Sequence, residues 1–408
     1  MNEKTINTAF AGVKVADFSW SVAGPLISKF LADNGATVVR VESPSRLCIL
    51  RTSAPFKDKK PGQNRSGYFA WQNANKYSIS LDLNKPEARG IAQQLIAWGD
   101  IVMEAFRPGT MEQWGLGYEE VKKINPKAVM LSSSSQGQTG PHAKFAALGI
   151  PLVGLAGFSQ FLGWPDGGPL PFPMAYTDAL SPRLAAAVLI AALIYKRRTG
   201  RGQYIDVSQV ESSLQFLAPM ILNYTSNGKE GQLLGNSHPS SAPHGIYKCN
   251  GQERWCAISV STDQQWQAFC DVLQNPAWTK EDRFATFLGR KENETKLNRL
   301  IEQWTINHKP EEVMVKMQAA GVPAGVVKNA RDLYEDPQLR ARQLFWGTEH
   351  KELGKFTSLG QAFRLSETPA RLSRAAPLLG EHTEYVCTEL LGISAEQFKK
   401  IRQSDAFG

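Results

Sequence analysis

The chain has few cysteines and no long hydrophobic segment, and both absences narrow its class. Its five cysteines among 408 residues form an odd, scattered set with no C-x-x-C pair, which argues against a disulfide framework and a zinc site. We expect them to be reduced packing residues. The longest apolar run, Leu184 to Ile194, is far shorter than the ~20 residues that cross a bilayer. Because the first eight residues are polar rather than a signal segment, we expect a cytoplasmic protein with no membrane partner.

Three common catalytic motifs are absent as well. An opening strand-helix-strand pattern places Glu42 where a dinucleotide site has its acid, but the connecting turn is Ala23-Gly24-Pro25 rather than G-x-G-x-x-G. No G-x-x-x-x-G-K-[ST] loop occurs, and the run Ser132 to Ser135 lacks a G-x-S-x-G elbow. The sequence therefore disfavours nicotinamide enzymes, P-loop NTPases and serine hydrolases, and it predicts no metal and no tightly bound cofactor.

The net charge of +8 favours a polyanionic ligand. The chain nevertheless has no zinc-finger spacing, no RNP-type motif and no long basic tract, which are the usual features of nucleic-acid binding. Basic and acidic residues are mixed along most of its length. This diffuse excess indicates a small phosphorylated ligand rather than nucleic acid.

Strand and helix patterns alternate through the first 130 residues. Repeated strand-helix-strand units predict a parallel sheet covered by helices, and hence an α/β class with a Rossmann-like large domain. The predicted elements are strands at Val13–Phe18, Thr37–Glu42, Ile101–Glu104 and Ala128–Ser132, and helices at Pro25–Asp33, Pro86–Trp98 and Tyr118–Ile124.

A polar, glycine-bearing segment at Asn227 to Gly231 predicts a domain boundary. We divide the chain into residues 1–226 of the large domain, a smaller α+β domain at 227–343, and a return to the large domain at 344–408. In the smaller domain, Asn250-Gly251 predicts a short hairpin turn. In the last part we expect strands near Phe356 and Phe363 and a helix from about Glu381.

Asp178 stands at the start of the longest apolar helix. A carboxylate beside a buried helix costs several kcal/mol unless it is hydrogen-bonded or used chemically. One interpretation is structural, because an acid in the first helical turn suits the free backbone N–H groups and the helix dipole. The other is functional, because a partly desolvated and oriented carboxylate can be a covalent nucleophile.

Motifs along nearly the whole chain resemble the class III CoA-transferase family, the group of formyl-CoA transferase and carnitine CoA-transferase. The resemblance rests on Val15–Pro25, Leu31–Glu42, Asn73–Asp82, Glu104–Gly109, Gly137–Pro141, Arg198–Gln203 and Ala376–Thr383. It implies a Rossmann-like large domain, a smaller inserted domain and a homodimer of two interlocked, ring-shaped chains.

The resemblance also assigns roles to individual residues. It implies that Asp178 attacks the acyl-CoA donor and carries a covalent aspartyl-CoA intermediate, from which a carboxylic acid acceptor takes the CoA. Charge-assisted bonds from lysine and arginine would hold phosphates, and an aromatic ring would pack on adenine or pantetheine. The CoA positions implied in this sequence are Val22, Ala23, Lys76, Phe106 and Arg107.

Two alternatives to a self-sufficient transferase remain. Racemases of the family use a histidine after G-Q-x-G-P, but that segment here has only His142 at its start. A non-catalytic subunit of a heteromeric transferase is the second alternative, because Ala179 to Arg183 departs from the small, glycine-containing turn expected after the nucleophile. The glycine run of formyl-CoA transferases is missing too, so an oxalate or formyl donor is not indicated.

Overall fold

A computed structural model describes residues 8–408, and a six-stranded parallel sheet lies at the centre of its larger unit. The strand order is β3-β2-β1-β4-β5-β6, the doubly wound order of the Rossmann fold. The predicted α/β class with a parallel sheet is confirmed. The strands are β1 Lys14–Asp17, β2 Thr37–Glu42, β3 Tyr77–Ser80, β4 Ile101–Glu104, β5 Val129–Ser134 and β6 Gln203–Ser208.

Both faces of this sheet are apolar, as a parallel sheet covered by helices requires. Val39 and Met130 point into one hydrophobic core together with Leu95 of a covering helix. Their neighbours Val38 and Val129 point into a second core on the opposite face. Alternate residues of one strand thus serve two cores, which explains why these strands read as continuous hydrophobic runs.

The helices of the larger unit mostly begin and end where the sequence predicts. The first begins two residues before the predicted Pro25, at Ala23, where a Cβ on Gly24 would lie 2.2 Å from Cβ of Ser19. Glycine is therefore required for the close approach of this helix to β1. The helices are α1 Ala23–Asp33, α2 Gly67–Asn73, α3 Pro86–Trp98, α4 Thr110–Gln113, α5 Tyr118–Ile124, α6 Ile150–Leu155, α7 Tyr176–Thr199, α8 Gln209–Leu214 and α9 Ala218–Asn227.

Helix α7 has 24 residues and ends at Gly200 in the left-handed conformation. By length and composition alone it could cross a membrane, and it is the one helix among the described residues of which this is true. Half of its apolar window is buried within the protein, and Ala185, Leu189 and Leu193 pack in the core beneath the sheet. These contacts are those of a core helix.

The smaller unit comprises Ser159–Pro171 and Glu230–Pro337. Its antiparallel sheet has the order β7-β8-β9, and its own core includes Trp266, Phe269 and Leu297. The strands are β7 His244–Lys248, β8 Trp255–Ser259 and β9 Ala324–Val326, and the helices are α10 Asp263–Val272, α11 Phe287–Glu292, α12 Glu294–Thr305, α13 Pro310–Ala319 and α14 Ala330–Glu335, followed by α15 Pro337–Ala341 at the boundary.

Two details of this unit differ from the sequence expectation. Residues 159–171 belong to it rather than to the large domain, because Gly235 donates a backbone hydrogen bond of 3.0 Å to Gly163. The connection from β7 to β8 is also longer than a two-residue hairpin turn, since the strands end at Lys248 and resume at Trp255. The backbone N–H of Asn250 instead donates to the carbonyl of His308 at 2.9 Å.

The last part of the chain returns to the larger unit, as its contacts show from Gln338 onward. It contains β10 Phe345–His350, paired with β11 Gly354–Leu359, then α16 Thr383–Tyr385, a π-helical turn at Val386–Leu390 and α17 Ala395–Arg402. The predicted strand near Phe363 is wrong. The chain there bonds to the end of α1 instead, since Gln361 and Arg371 donate to the side chain and carbonyl of Asp33.

Candidate active site

A cavity of about 540 Å³ opens at the carboxyl ends of the parallel strands. Every strand of the large sheet has a residue at or just beyond its end in the wall, namely Phe18, Ser43, Leu81, Ala105, Ser134 and Gln209. In doubly wound folds ligands bind at this edge, next to the point where the winding changes direction. Here that point lies between β1 and β4.

One wall of the cavity is aromatic. The ring of Phe106 makes edge-to-face contacts with Trp20 and Trp114, at centroid distances of 5.7 and 5.3 Å, and all three side chains line the cavity. The turn that carries Phe106 is held by Glu104, whose Oε2 accepts the backbone N–H of Phe106 at 2.7 Å. The aromatic surface is thus attached to the end of β4.

The Glu104 carboxyl is buried behind this wall. Burial raises its pKa to about 7, although hydrogen bonds from Ser132 and from the N–H of Phe106 act in the opposite direction. The neighbouring acids Glu112 and Asp206 raise the pKa further. Near neutral pH the turn below Phe106 therefore rests on a carboxyl that is partly protonated.

Two exposed arginines line the cavity from the loops that follow β2 and β4. Arg107 donates from Nη2 to the carbonyl of Lys144 at 3.2 Å, so its guanidinium is partly oriented. Arg46 lies on the loop after β2. Guanidinium groups at the mouth of a pocket suit phosphate oxygens because they donate paired, charge-assisted hydrogen bonds.

Asp178 lines the same cavity, in the first turn of α7. Its side chain does not cap the helix, because the N-cap residue is Ala175 and no side chain accepts a capping hydrogen bond there. Burial raises the pKa of the Asp178 carboxyl to about 6, while the side-chain amide of Gln209 lowers it. The carboxyl is therefore partly desolvated, held near the positive end of a helix, and mostly ionised at neutral pH.

Several polar atoms without partners belong to residues that line the same cavity as Asp178. Among the described residues, Oγ of Ser133, Oγ of Ser134 and Oε1 of Gln209 are buried and accept or donate no hydrogen bond. All three residues line the cavity. Buried polar groups are normally paired, so unpaired ones at a cavity wall indicate a ligand contact or ordered water.

The structure brings four of the six predicted site residues to the cavity: Asp178, Ala23, Phe106 and Arg107. Val22 is not among the lining residues; it precedes α1 and packs near Leu50 and Phe69.

Lys76 lies in the interior between α1 and α2. Its ammonium is fully buried, donates to the carbonyl of Pro25 at 2.9 Å and to Oδ1 of Asn73 at 3.0 Å, and lies 3.6 Å from Asp17. Burial lowers the pKa of Lys76 to about 7, against the opposing effect of Asp17. The side chain ties α1 to the end of α2 and is not among the residues that line the cavity, and its contact with phosphate stays a prediction.

Glu42, the acid that resembles a ribose ligand, is also committed to the interior. Arg51 donates to both of its carboxylate oxygens, at 2.6 and 2.9 Å, and Ser78 donates at 2.8 Å. Although burial alone would raise its pKa, Arg51 and Arg40 lower the pKa of Glu42 to about 2. A carboxylate with these partners has no free position for a ribose hydroxyl, in agreement with the missing glycine motif.

Sequence reasoning missed Gln209, Arg46 and the two tryptophans of the cavity. One available signal of this edge is the polar run Ser132 to Ser135. Its position at the end of a predicted parallel strand places it at the ligand-binding edge. Nothing in the sequence showed that Gln209 would reach Asp178, because 30 residues, most of them in α7, separate the two.

Comparison with known proteins decides the class. A family model described as CoA-transferase family III matches residues 10–383. The chain belongs to the family III CoA-transferases. The succinyl-CoA–D-citramalate CoA-transferase of Chloroflexus aurantiacus is 32% identical over 390 residues, covering 96% of each chain. The succinyl-CoA–L-malate CoA-transferase beta subunit of the same organism is 29% identical over 408 residues, covering 98% of this chain and 99% of that one.

A solved structure of a CAIB/BAIF family protein from Brucella suis has the same fold. Its TM-score is 0.86 at 30% identity, covering 94% of this transferase and 100% of that chain. Enzymes of this family use CoA thioesters as substrates, which matches the aromatic and cationic cavity wall. In the described part of the transferase no cluster of three or more histidine, cysteine or acidic side chains could hold a metal, and all five cysteines are free and buried.

Proposed function

We propose that this transferase moves CoA from an acyl-CoA thioester to a free carboxylic acid through a covalent intermediate on Asp178. The observation that carries the proposal is the placement of Asp178, an ionisable and partly desolvated carboxyl, in the wall of the cavity at the ligand-binding edge of the sheet. A carboxylate that has lost part of its water shell and is held in one orientation is an activated nucleophile.

The reaction begins when a carboxylate oxygen of Asp178 attacks the thioester carbonyl carbon. The C–S bond breaks, the CoA thiolate leaves, and a mixed anhydride joins Asp178 to the acyl group. The thiolate then attacks the aspartyl carbonyl of this anhydride, which releases the donor acid as a carboxylate and leaves an aspartyl-CoA thioester.

The second half runs the same steps in reverse on the acceptor. The acceptor carboxylate attacks the aspartyl thioester and expels the thiolate, which attacks the acceptor's acyl carbonyl and frees Asp178. No net proton is taken up or released. Division of the exchange between anhydride and thioester steps replaces one difficult displacement by several easier ones.

The cavity wall supports the CoA part of both substrates. The surface of Phe106, Trp20 and Trp114 offers a stacking face for adenine or the pantetheine arm. Arg107 and Arg46 stand at its exposed side, where they can neutralise phosphates. Ala23 supplies a small side chain at the first turn of α1, so that the backbone there approaches the ligand closely.

We further propose that the active form is a homodimer in the cytoplasm, with the interlocked arrangement that the family resemblance implies. Apolar side chains are exposed on α7 and α9, including Val188, Met220 and Leu222, and such surfaces favour burial against another chain. Because one relative is named as a beta subunit, a heteromer with a related chain is the second candidate. Light scattering of the purified chain alone separates the two.

Racemases of the family use a histidine, and no histidine of the described residues lines the cavity. His142 is exposed and its ring packs against Phe145 at 4.4 Å, and it is not among the lining residues. The geometry thus favours group transfer over proton transfer at the 2-position.

Chemical trapping tests the proposal. The protein is incubated with a panel of acyl-CoAs, treated with hydroxylamine or borohydride, and the peptide that contains Asp178 is analysed by mass spectrometry. We expect a hydroxamate or alcohol on Asp178, and a loss of at least about a thousandfold in transfer for Asp178→Asn, since covalent catalysis is then removed. Asp82→Asn, a change in another cavity carboxyl, is the matched control. An unmodified Asp178 peptide with every donor would overturn the mechanism.

A further inference from the structure

Glu104, Ser132 and Asp206 form a polar row on one face of the large sheet. The parallel register pairs Glu104 of β4 with Ser132 of β5, and Ser132 with Asp206 of β6. Residues that pair across neighbouring strands point to the same side of a sheet. Val102, two residues before Glu104, lies in the core against which Phe106 packs. The row therefore lies on the side of the sheet that carries the Phe106 ring.

The carboxyl of Glu104 connects two turns that follow neighbouring strands. Its Oε2 accepts the backbone N–H of Phe106 at 2.7 Å, in the turn after β4. Its Oε1 accepts from Nε2 of Gln138, in the turn after β5, at a long 3.5 Å. The backbone N–H of Gln138 in turn donates to both carboxylate oxygens of Asp206, at 3.1 and 3.0 Å. One buried side chain thus holds the Phe106 turn and ties it to the next turn of the cavity edge.

A second link joins the same two segments on the exposed side. Arg107 donates from Nη2 to the carbonyl of Lys144 at 3.2 Å, and most of the segment 143–148 lines the cavity. Arg107 directly follows Phe106, so a shift of the turn that Glu104 holds would move the ring and the guanidinium together. The geometry of the aromatic and cationic wall therefore depends on the carboxyl behind it.

Glu104 does not itself reach the substrate space. Its residue is 4% exposed and is not among those that line the cavity. An acid beside an active site whose pKa lies near neutrality, as burial causes for Glu104, is ordinarily a candidate for acid-base catalysis. A general acid or base, however, must come within hydrogen-bond reach of the reacting group. The location of Glu104 favours an effect that is exerted through Phe106 instead.

We propose that Glu104 is a positioning residue that fixes the Phe106 ring for CoA, and that it sets the affinity for CoA rather than the rate of the chemical step. This inference rests on the proposed function, because the contact of CoA with the aromatic wall is part of that proposal. The role requires a hydrogen-bond acceptor and not a charge. Glutamine should therefore replace Glu104, since its amide oxygen can accept the N–H of Phe106 and the amide of Gln138 can turn to accept from it.

A binding measurement tests the inference apart from catalysis. Calorimetry with free CoA gives its dissociation constant for the unsubstituted enzyme, Glu104→Leu and Glu104→Gln. We expect Glu104→Leu to raise the constant about fivefold, because it leaves the N–H of Phe106 without an acceptor, and Glu104→Gln to stay within about twofold of the unsubstituted enzyme. Glu112→Leu is the matched control, since Glu112 is an exposed acid of α4 whose charge also acts on Glu104, and it should leave the constant unchanged.

A double-mutant cycle with Phe106→Ala shows whether Glu104 acts through the ring. Once the ring is absent, Glu104→Leu should change the dissociation constant of CoA less than about twofold, because the two residues share one contact. A residue that only supports the fold would weaken binding by the same factor in both backgrounds. Thermal unfolding establishes that each variant is folded. If Glu104→Leu is not, Glu104→Asp takes its place, since its carboxylate is one methylene shorter and does not reach the N–H of Phe106.

Steady-state kinetics separates positioning from catalysis. With the donor that labels Asp178, Glu104→Leu should raise KM and change kcat less than about twofold, because binding in the ground and transition states is weakened alike. A catalytic acid or base at Glu104 would instead lower kcat, and Glu104→Gln would not restore it.

Three outcomes would overturn the inference: an unchanged affinity for CoA in Glu104→Leu, an equal loss with and without the Phe106 ring, or a loss of kcat that Glu104→Gln does not restore. Failure of the proposed function has different signatures. An unchanged affinity in Phe106→Ala would contradict the proposed CoA wall, and the inference with it. An unlabelled Asp178 would contradict the covalent mechanism and leave the affinities for CoA as they are.

Discussion

The interaction between Gln209 and Asp178 predicts a specific pH dependence. Burial raises the pKa of the Asp178 carboxyl to about 6, and Gln209 holds it below the value that burial alone would give. Because the nucleophile must be ionised, kcat/KM for the acyl-CoA donor should rise with pH through about 6 and level off above it. Gln209→Leu fills a similar volume without the amide and should raise that pKa further.

The size of the effect follows from the energy of one hydrogen bond. A hydrogen bond to a charged group contributes about 1.5 kcal/mol, which corresponds to about tenfold in an ionisation equilibrium. At pH 5 both carboxyls are mostly protonated, so kcat/KM of the variant should be about tenfold below that of the unsubstituted enzyme. At pH 8 both are ionised, and the two values should nearly coincide.

The assay is the initial rate of CoA transfer at low donor concentration between pH 5 and 8. Ratios of variant to unsubstituted enzyme cancel any titration of the donor's own phosphates. Gln136→Leu is the matched control, since the amide of Gln136 donates to the carbonyl of His142 at 3.4 Å instead, and its ratio should not vary with pH. A loss for Gln209→Leu of the same factor at every pH would refute the reasoning and assign Gln209 a purely positional role.

Three further predictions concern the aromatic wall of the cavity, the buried ion pair of Arg51 with Glu42, and the buried carboxyl of Glu104. In steady-state kinetics, Phe106→Ala should raise KM for the donor about tenfold and change kcat less than twofold. The reason is that stacking on a base contributes about 1–3 kcal/mol in both ground and transition states. A fall in kcat alone would contradict this. Arg51→Ala should destabilise the fold by about 3–5 kcal/mol in urea, since it leaves Glu42 buried without its main partner, whereas Lys123→Ala, in an exposed pair, should change nothing measurable. Glu104→Gln should be more stable than the unsubstituted protein by about 1–3 kcal/mol at pH 8 and equal to it near pH 4. The sign follows because a folded pKa raised from 4.5 to about 7 makes the folded state lose stability as pH rises through that interval; thermal unfolding at the two pH values measures it, and a pH-independent difference would contradict it.

Local chemistry explains why so many elements could be predicted. Pro86 and Gly99 bracket α3, and a two-residue polar stop after Asp33 ends α1, so bounds were readable without tertiary information. Continuous apolar strands indicated a sheet buried on both faces. Predictions failed where distant backbone groups took over the hydrogen bonds, as His308 does for Asn250 and Asp33 does for the chain around Phe363.

Some residues of the candidate site could likewise be predicted from the sequence, and others could not. Residue type and motif were enough to choose Asp178, Phe106 and Arg107, because a carboxylate, an aromatic ring and a guanidinium each have a clear use with an acyl-CoA. They were insufficient for Lys76, since a lysine in a matching motif can face either a ligand or Asp17. Burial decided between these uses, and burial depends on how α1 and α2 pack.

By itself the sequence determined the class of the fold and the family, and it selected Asp178 as the candidate nucleophile, because these depend on patterns of neighbouring residues and on short motifs. Only the tertiary structure decided which groups meet. Six strand ends and the first turn of α7 converge on one cavity, and Gln209 reaches Asp178 from a different element. The ends of β5 and β6 lie side by side because parallel pairing sets their register, and hydrogen bonds across strands are not encoded in the spacing of residues along the chain.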